Sequence, residues 1–206
     1  MARESITATD SLNSHELNLA EAETMDGIVD QIASGLYNLA SMLVGEGEQS
    51  IRLVETAIAN TEVSACQDPA QARASSRRAL CEAAVEMLGV RNPGILAAPE
   101  GLKPSGNCID EDDVEAVKIA SEDLERLSSG PERERVRNWL ASLPTALRTI
   151  FVLRAVADLS AAETAAMLEA HGGSKAAGWT AEAVRSVFRE GLCSLASQLL
   201  QASAAR

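Results

Sequence analysis

Three side chains near the C-terminus, Arg185, Ser186 and Arg189, share one flank of a candidate helix with Glu182, just after a helix-capping Thr180. A guanidinium can contact guanine edges or phosphate oxygens, and a serine hydroxyl mostly phosphate, so this set has the chemistry of a DNA-contacting face. The alternative is the plain solvent face of an amphipathic helix. A second basic group, Arg73, Arg77 and Arg78, lies in the N-terminal half, with Arg73 and Arg77 one helical turn apart. Catalysis is not expected. The chain shows no Ser/His/Asp set and no carboxylate pair on one frame, and Gly173-Ser-Lys175 lacks the residue order and the preceding strand of a phosphate loop. Cys66, Cys81, Cys108 and Cys193 stand far apart without a Cys-x-x-Cys pair, and His15 and His171 are isolated. No metal site is legible, no cofactor is implied, and reduced thiols in a cytoplasmic compartment are the expectation.

The elements that must position these groups are helical. Apolar residues make up 46% of the 206 residues but aromatics only 2%, so a core must be built from Ala, Leu, Val, Ile and Met, which suits packed helices better than sheets. From Ala181 onward, Val184, Val187, Phe188, Leu192, Leu195 and Leu199 recur three or four apart on one face. Upstream, Ser160 with Glu163 forms a capping box in front of Thr164-Ala165-Ala166-Met167-Leu168. The alanines let a second helix approach closely, and the two together read as a helix-turn-helix pair whose second helix is offered to the major groove. The intervening turn is longer than usual, but Gly172, Gly173 and Gly178 let it loop out, with Trp179 packing beneath it before the Thr180 cap. Pro144 starts a further helix carrying Leu147, Ile150, Phe151 and Leu153, periodic positions that read first as core.

The N-terminal half divides in the same way. Residues 1–24 read as a mobile tail. Ile28, Ile32, Leu36, Leu39 and Leu43 then mark a helix that stops at Gly45-Glu46-Gly47, and a second helix places Ile51, Val54 and Ile58 on one face. Asp68 and Pro69 open a third helix, expected to end in a left-handed cap at Gly89. Proline and glycine concentrate over residues 90–108, Asp110-Glu111-Asp112-Asp113 follows, and a helix through Val114, Val117, Leu124 and Leu127 ends at Ser128-Ser129-Gly130-Pro131. The expectation is an all-α chain of two small helical domains, over 25–90 and 132–206, joined by an acidic linker over 91–131.

The run Leu140-Ala141-Ser142-Leu143-Pro144, Arg148, Phe151-Val152-Leu153-Arg154, Asp158-Leu159-Ser160, Glu163, Ala165, Leu168 and Val184-Arg185-Ser186 resembles region four of bacterial RNA polymerase sigma factors of the extracytoplasmic-function class. Tyr37-Asn38-Leu39-Ala40, Gly45-Glu46 and Ile51-Arg52-Leu53-Val54-Glu55 are similar to region two of the same family. The resemblance implies a transcription initiation factor. In this reading Ile51, Leu53, Val54 and Glu55 bind core RNA polymerase. Thr180, Glu182, Arg185, Ser186 and Arg189, with Arg73 and Arg77, contact promoter DNA, and an anti-sigma or other regulatory protein is a further partner. Two features depart from the family pattern. Glu190-Gly191-Leu192 stands where the family has arginine-alanine-arginine, and no aromatic residue lies between Tyr37 and Trp139 to stack on an unpaired base. These departures point to the alternative, a diverged sigma-like regulatory interaction protein that keeps the fold but does not melt promoters.

Charge sharpens the partner question. Residues 1–135 carry 11 Lys and Arg against 25 Asp and Glu, a charge of −14, whereas residues 136–206 carry 7 against 5, a charge of +2. Affinity for nucleic acid is dominated by phosphate neutralisation, so the isolated chain is expected to bind DNA weakly and to need a larger basic complex. No signal-peptide core and no uncharged apolar run of membrane-spanning length appear, so no membrane partner is expected.

Overall fold

A computed structural model describes residues 32–61, 68–98, 108–109, 114 and 133–204. Every regular element among them is helical: α1 over residues 32–44, α2 Glu48–Ala59, α3 Pro69–Arg91, α4 Arg133–Ser142, α5 Thr145–Ala155, α6 Ala161–His171 and α7 Ala181–Ala204. The expected tail, Ile28, the Asp110–Asp113 run, and Val117, Leu124 and Leu127 lie outside the described residues. Val114 lies within them, helical and buried.

The starts and stops follow local chemistry. Gly45, at φ 89°, and Gly47, at φ 119°, supply the left-handed backbone that turns α1 into α2. The Ser50 hydroxyl donates to the Gly45 carbonyl and fastens that turn. At the head of α3 the Asp68 carboxylate accepts from the Ala70 amide at 3.3 Å, with proline at the first helical position. The full capping box is present on α6: the Glu163 amide donates to Ser160 Oγ at 3.2 Å, and the Ser160 amide donates to Glu163 Oε2 at 2.8 Å. The Ser160 hydroxyl and amide hold the Glu163 carboxyl below its usual range.

Two sequence expectations are corrected here. Gly89 is not a cap, because α3 continues to Arg91. A Cβ at Gly89 would stand 2.4 Å from the backbone oxygen of Gly172, so the glycine serves a close approach between α3 and the end of α6. In α2 the buried residues are Ser50, Leu53 and Ala57, whereas Ile51 and Ile58 are 49% and 47% exposed. The isoleucines of the stripe read from the sequence face water with Val54 half-buried, and the helix, which packs on α3, buries Ser50, Leu53 and Ala57 instead.

Chain contacts place a division after Gly35, and Leu36–Arg206 forms one compact unit. Within it α2 packs on α3, α3 on α6, and α5, α6 and α7 on one another. Helix α5 is covered all round from Thr149 to Ala155, including Arg154. That buried cation is accommodated because its Nη1 donates to the Leu159 carbonyl at 2.6 Å and its guanidinium lies 5.1 Å from the Phe188 ring centroid. Trp139 meets Phe151 edge-on at 4.9 Å between ring centroids, and Phe151 meets Phe188 at 5.7 Å. Three of the chain's five aromatic residues thus close one cluster between α4, α5 and α7. Gly191 fits against it, since a Cβ there would stand 3.0 Å from the Phe151 ring.

Candidate functional site

The two helices that the sequence paired, α6 and α7, pack on each other. Thr180 caps α7 as its position suggested, its Oγ1 accepting from the Ala183 amide at 3.1 Å. Val184, Val187, Phe188 and Leu192 are buried against α5 and α6, and this fixes which flank of α7 remains. On that flank Thr180 and Glu182 are exposed, whereas Arg185, Ser186 and Arg189 are each half-buried. Arg185 and Arg189 are both already engaged in interactions within the protein. The face is therefore open at its N-terminal end and partly covered one to two turns on.

The turn between α6 and α7 is itself folded against the rest of the protein. Gly173 and Gly178 both take positive φ, at 82° and 101°, and Ala176 is buried between them. Trp179 is buried, and its Nε1 donates across the fold to the Leu96 carbonyl at 2.8 Å. The expected packing of Trp179 beneath the turn is present, but its partner comes from the segment after α3. The same seam carries the Gly89–Gly172 approach and, at its edge, Glu46, which pairs with Arg133 and with Arg137 at 3.1 Å to the latter.

The second basic group is separate in its placement. Arg73 is exposed and Arg77 half-buried on α3, the helix that packs on α2 and α6, so they belong to a different element from Arg185 and Arg189. Arg78 pairs with Glu82 at 3.0 Å. Of the residues proposed for polymerase contact, Ile51 and Glu55 are exposed and Val54 half-buried, whereas Leu53 is 1% exposed and belongs to the core. Ile58, one turn beyond Val54, extends the exposed stripe, although the family pattern did not include it.

The cysteines do not follow the expectation of reduced thiols. Cys108 and Cys193 form a disulfide with Cα atoms 5.7 Å apart, and a pairing across 85 residues leaves no local spacing to read. Cys81 is free and buried, and burial pushes its thiol up to about 12, which makes it a poor nucleophile. Among the described residues no cluster of His, Cys, Asp and Glu is arranged to hold a metal ion. Among the same residues no helix is long and apolar enough to cross a membrane. Comparison with protein-family models, with curated proteins and with solved structures finds no match.

Proposed function

We propose that the protein is a sigma-like transcription factor that binds core RNA polymerase and reaches promoter DNA as part of that complex. One observation carries the reading: a Thr180-capped α7 packed on the capping-box helix α6, with α5 as third helix, leaves a polar, cation-bearing flank of α7 on the surface. A polar, cation-bearing flank on the second of two packed helices supports the reading because helix-turn-helix proteins offer such a face to the major groove. The exposed Ile51 and Ile58 with Val54 and Glu55 are the surface for polymerase, because large apolar side chains left in water beside a carboxylate suit a protein partner better than a nucleic acid. The surplus of acid in residues 1–135 makes DNA binding dependent on the polymerase. The polymerase carries the chemistry, and no cofactor is required of this chain.

The partial cover of Arg185, Ser186 and Arg189 favours a second reading, in which the same fold acts on polymerase or a regulatory partner without melting promoters. Pull-down of purified core polymerase tests what the two readings share, and retention of the protein is expected. Run-off transcription from promoter-bearing DNA, with permanganate footprinting of unpaired thymines, separates them. A transcript with an open complex supports initiation, and binding without either supports the regulatory reading. Failure to retain polymerase at all rejects both.

A further inference from the structure

The turn between α6 and α7 carries one cation, and the seat of that cation is specific. Lys175 is exposed, and its aliphatic stem lies across Gly94: a Cβ at that glycine would stand 3.3 Å from Lys175 Cδ and 4.0 Å from Nζ. Gly94, at φ 100°, has no side chain to interfere, so the stem finds a surface while the ammonium stays in water. Two residues further along the same stretch, the Leu96 carbonyl accepts from Trp179 Nε1 at 2.8 Å. Both ends of the turn, Lys175 and Trp179, are thus held on the Gly94–Leu96 stretch, and Thr180 follows directly. The ammonium is fixed near the N-terminal end of α7, the end at which Thr180 and Glu182 are exposed.

Arg91 supplies a second cation to the same patch. It is exposed in the last turn of α3, three residues before Gly94, so its Cα lies within about 11 Å of the Gly94 Cα. Among the described residues neither Arg91 nor Lys175 forms an ion pair. One strand of a duplex presents a charge about every 3.4 Å of axis, so a patch of this span faces two or three phosphates. Along α7 itself the supply is poorer. Arg185 and Arg189 are half-buried and already engaged, and Glu190-Gly191-Leu192 adds no cation, with Gly191 packed on the Phe151 ring. The cations open to phosphate therefore lie before α7 rather than along it.

We infer that Lys175 and Arg91 form a phosphate-binding patch that grips the backbone of duplex DNA next to the groove entered by α7. The ligand is the phosphodiester backbone, and the patch reads no base, because phosphate contacts fix position and carry no sequence information. Its role in placing α7 rests on the function proposed above, whereas its affinity for phosphate does not. Glu169 and Glu182, exposed on the helices at either end of the turn, oppose it and keep binding by the free chain weak.

The test uses the full chain and a fluorescein-labelled duplex of arbitrary sequence, titrated by anisotropy from low salt upward. Lys175→Gln and Arg91→Gln are each expected to lower the slope of log K against log salt by about one unit, and the double variant by about two. Lys175→Arg keeps the charge and is expected to keep the wild-type slope. Both side chains are exposed, so denaturant midpoints should stay at the wild-type value. An unchanged slope in the double variant overturns the patch, as does a wild type that binds no duplex at the lowest salt. A slope that falls as far in Lys175→Arg as in Lys175→Gln also overturns it, because packing on Gly94 rather than charge would then be at stake. Pull-down of core polymerase with the same proteins keeps the two conclusions apart. Failed retention with a slope that still answers to Lys175 and Arg91 rejects the proposed function and leaves the patch standing, whereas retention with an unresponsive slope does the reverse.

Discussion

Helices α2 and α7 both carry apolar residues at helical spacing, yet they settle into the fold in opposite ways. Helix α7 turns Val184, Val187, Phe188 and Leu192 into the core and leaves its polar flank outward, whereas α2 buries Ser50, Leu53 and Ala57 and leaves Ile51 and Ile58 in water. The difference lies in what each has to pack against. Helix α7 meets α5 and α6 together, so Val184, Val187, Phe188 and Leu192 find cover. Helix α2 packs on α3 with Ser50, Leu53 and Ala57 buried and the two isoleucines left outside. One region uses its hydrophobic surface internally, and the other leaves part of it in water.

The largest expected effects come from breaking the core on either side of that comparison. Phe188→Ala removes a fully buried ring that touches Phe151 and the Arg154 guanidinium, and a loss of about 3–5 kcal/mol is expected in denaturant unfolding. Leu53→Ala opens a cavity under α2 and should cost about 2–5 kcal/mol. Because Leu36–Arg206 is one compact unit, both variants are expected to shift a single transition monitored by far-UV circular dichroism. Two separated transitions, only one of them moved by each variant, would show that the halves unfold independently.

Next in size is a pair of helical glycines that should respond with opposite sign. Gly89→Ala would gain helix propensity in isolation, but its Cβ meets the Gly172 backbone at 2.4 Å, where no flexible side chain can give way. A net loss of about 1–3 kcal/mol is expected. Gly35→Ala meets nothing within 4 Å and should stabilise by up to about 1 kcal/mol. Equal effects at the two positions would mean that the seam between α3 and α6 is not closed in solution.

A smaller effect is expected at the capping box. Ser160→Ala removes the hydroxyl that accepts from the Glu163 amide and should cost about 1 kcal/mol at neutral pH. The Ser160 hydroxyl and amide lower the pKa of Glu163 in the folded state, so the stabilisation is present above the unfolded carboxyl range and is lost as pH falls through the folded value. The difference between wild type and Ser160→Ala should therefore narrow in acid, measured as paired denaturant midpoints across pH. A constant difference would mean that Glu163 does not take part.

What the sequence made legible divides along the range of the forces involved. The Asp68–Pro69 start, the Gly45–Gly47 turn, the Ser160–Glu163 box and the Thr180 cap are all interactions within a few residues, and each stands where its residues implied. The face of α7 was legible too, since an uninterrupted apolar stripe left one arrangement. Gly89 misled because a glycine near a helix end satisfies a local capping pattern, and only the approach of Gly172, far along the chain, shows its use. The phase of α2 misled because the buried face is set by Leu53 with Ser50 and Ala57, two of them too small or polar to register as an apolar stripe. The disulfide and the Trp179–Leu96 bond join residues 85 and 83 positions apart, and no local spacing encodes either. For the candidate site this means that the residue types on α7 were readable, while their partial cover was not.

The mildest change in stability is expected at the exposed stripe of α2, and there the comparison turns into a test of function. Ile51→Ser and Ile58→Ser replace side chains that are about half in water, so each should alter unfolding free energy by no more than about 0.5 kcal/mol. If the stripe is the polymerase surface, the double variant should lose retention on core polymerase by about tenfold or more, since each isoleucine would be buried in the complex and apolar burial is worth about 25 cal/mol per Å². Arg185→Ala and Arg189→Ala should leave that retention intact. They should instead reduce the salt dependence of DNA binding by the polymerase complex, by about one unit of slope for each phosphate that is no longer neutralised. Retention that survives removal of both isoleucines but falls with the two arginines would move the polymerase surface from α2 to α7, and with it the division between a helix that saves its apolar face and one that consumes it.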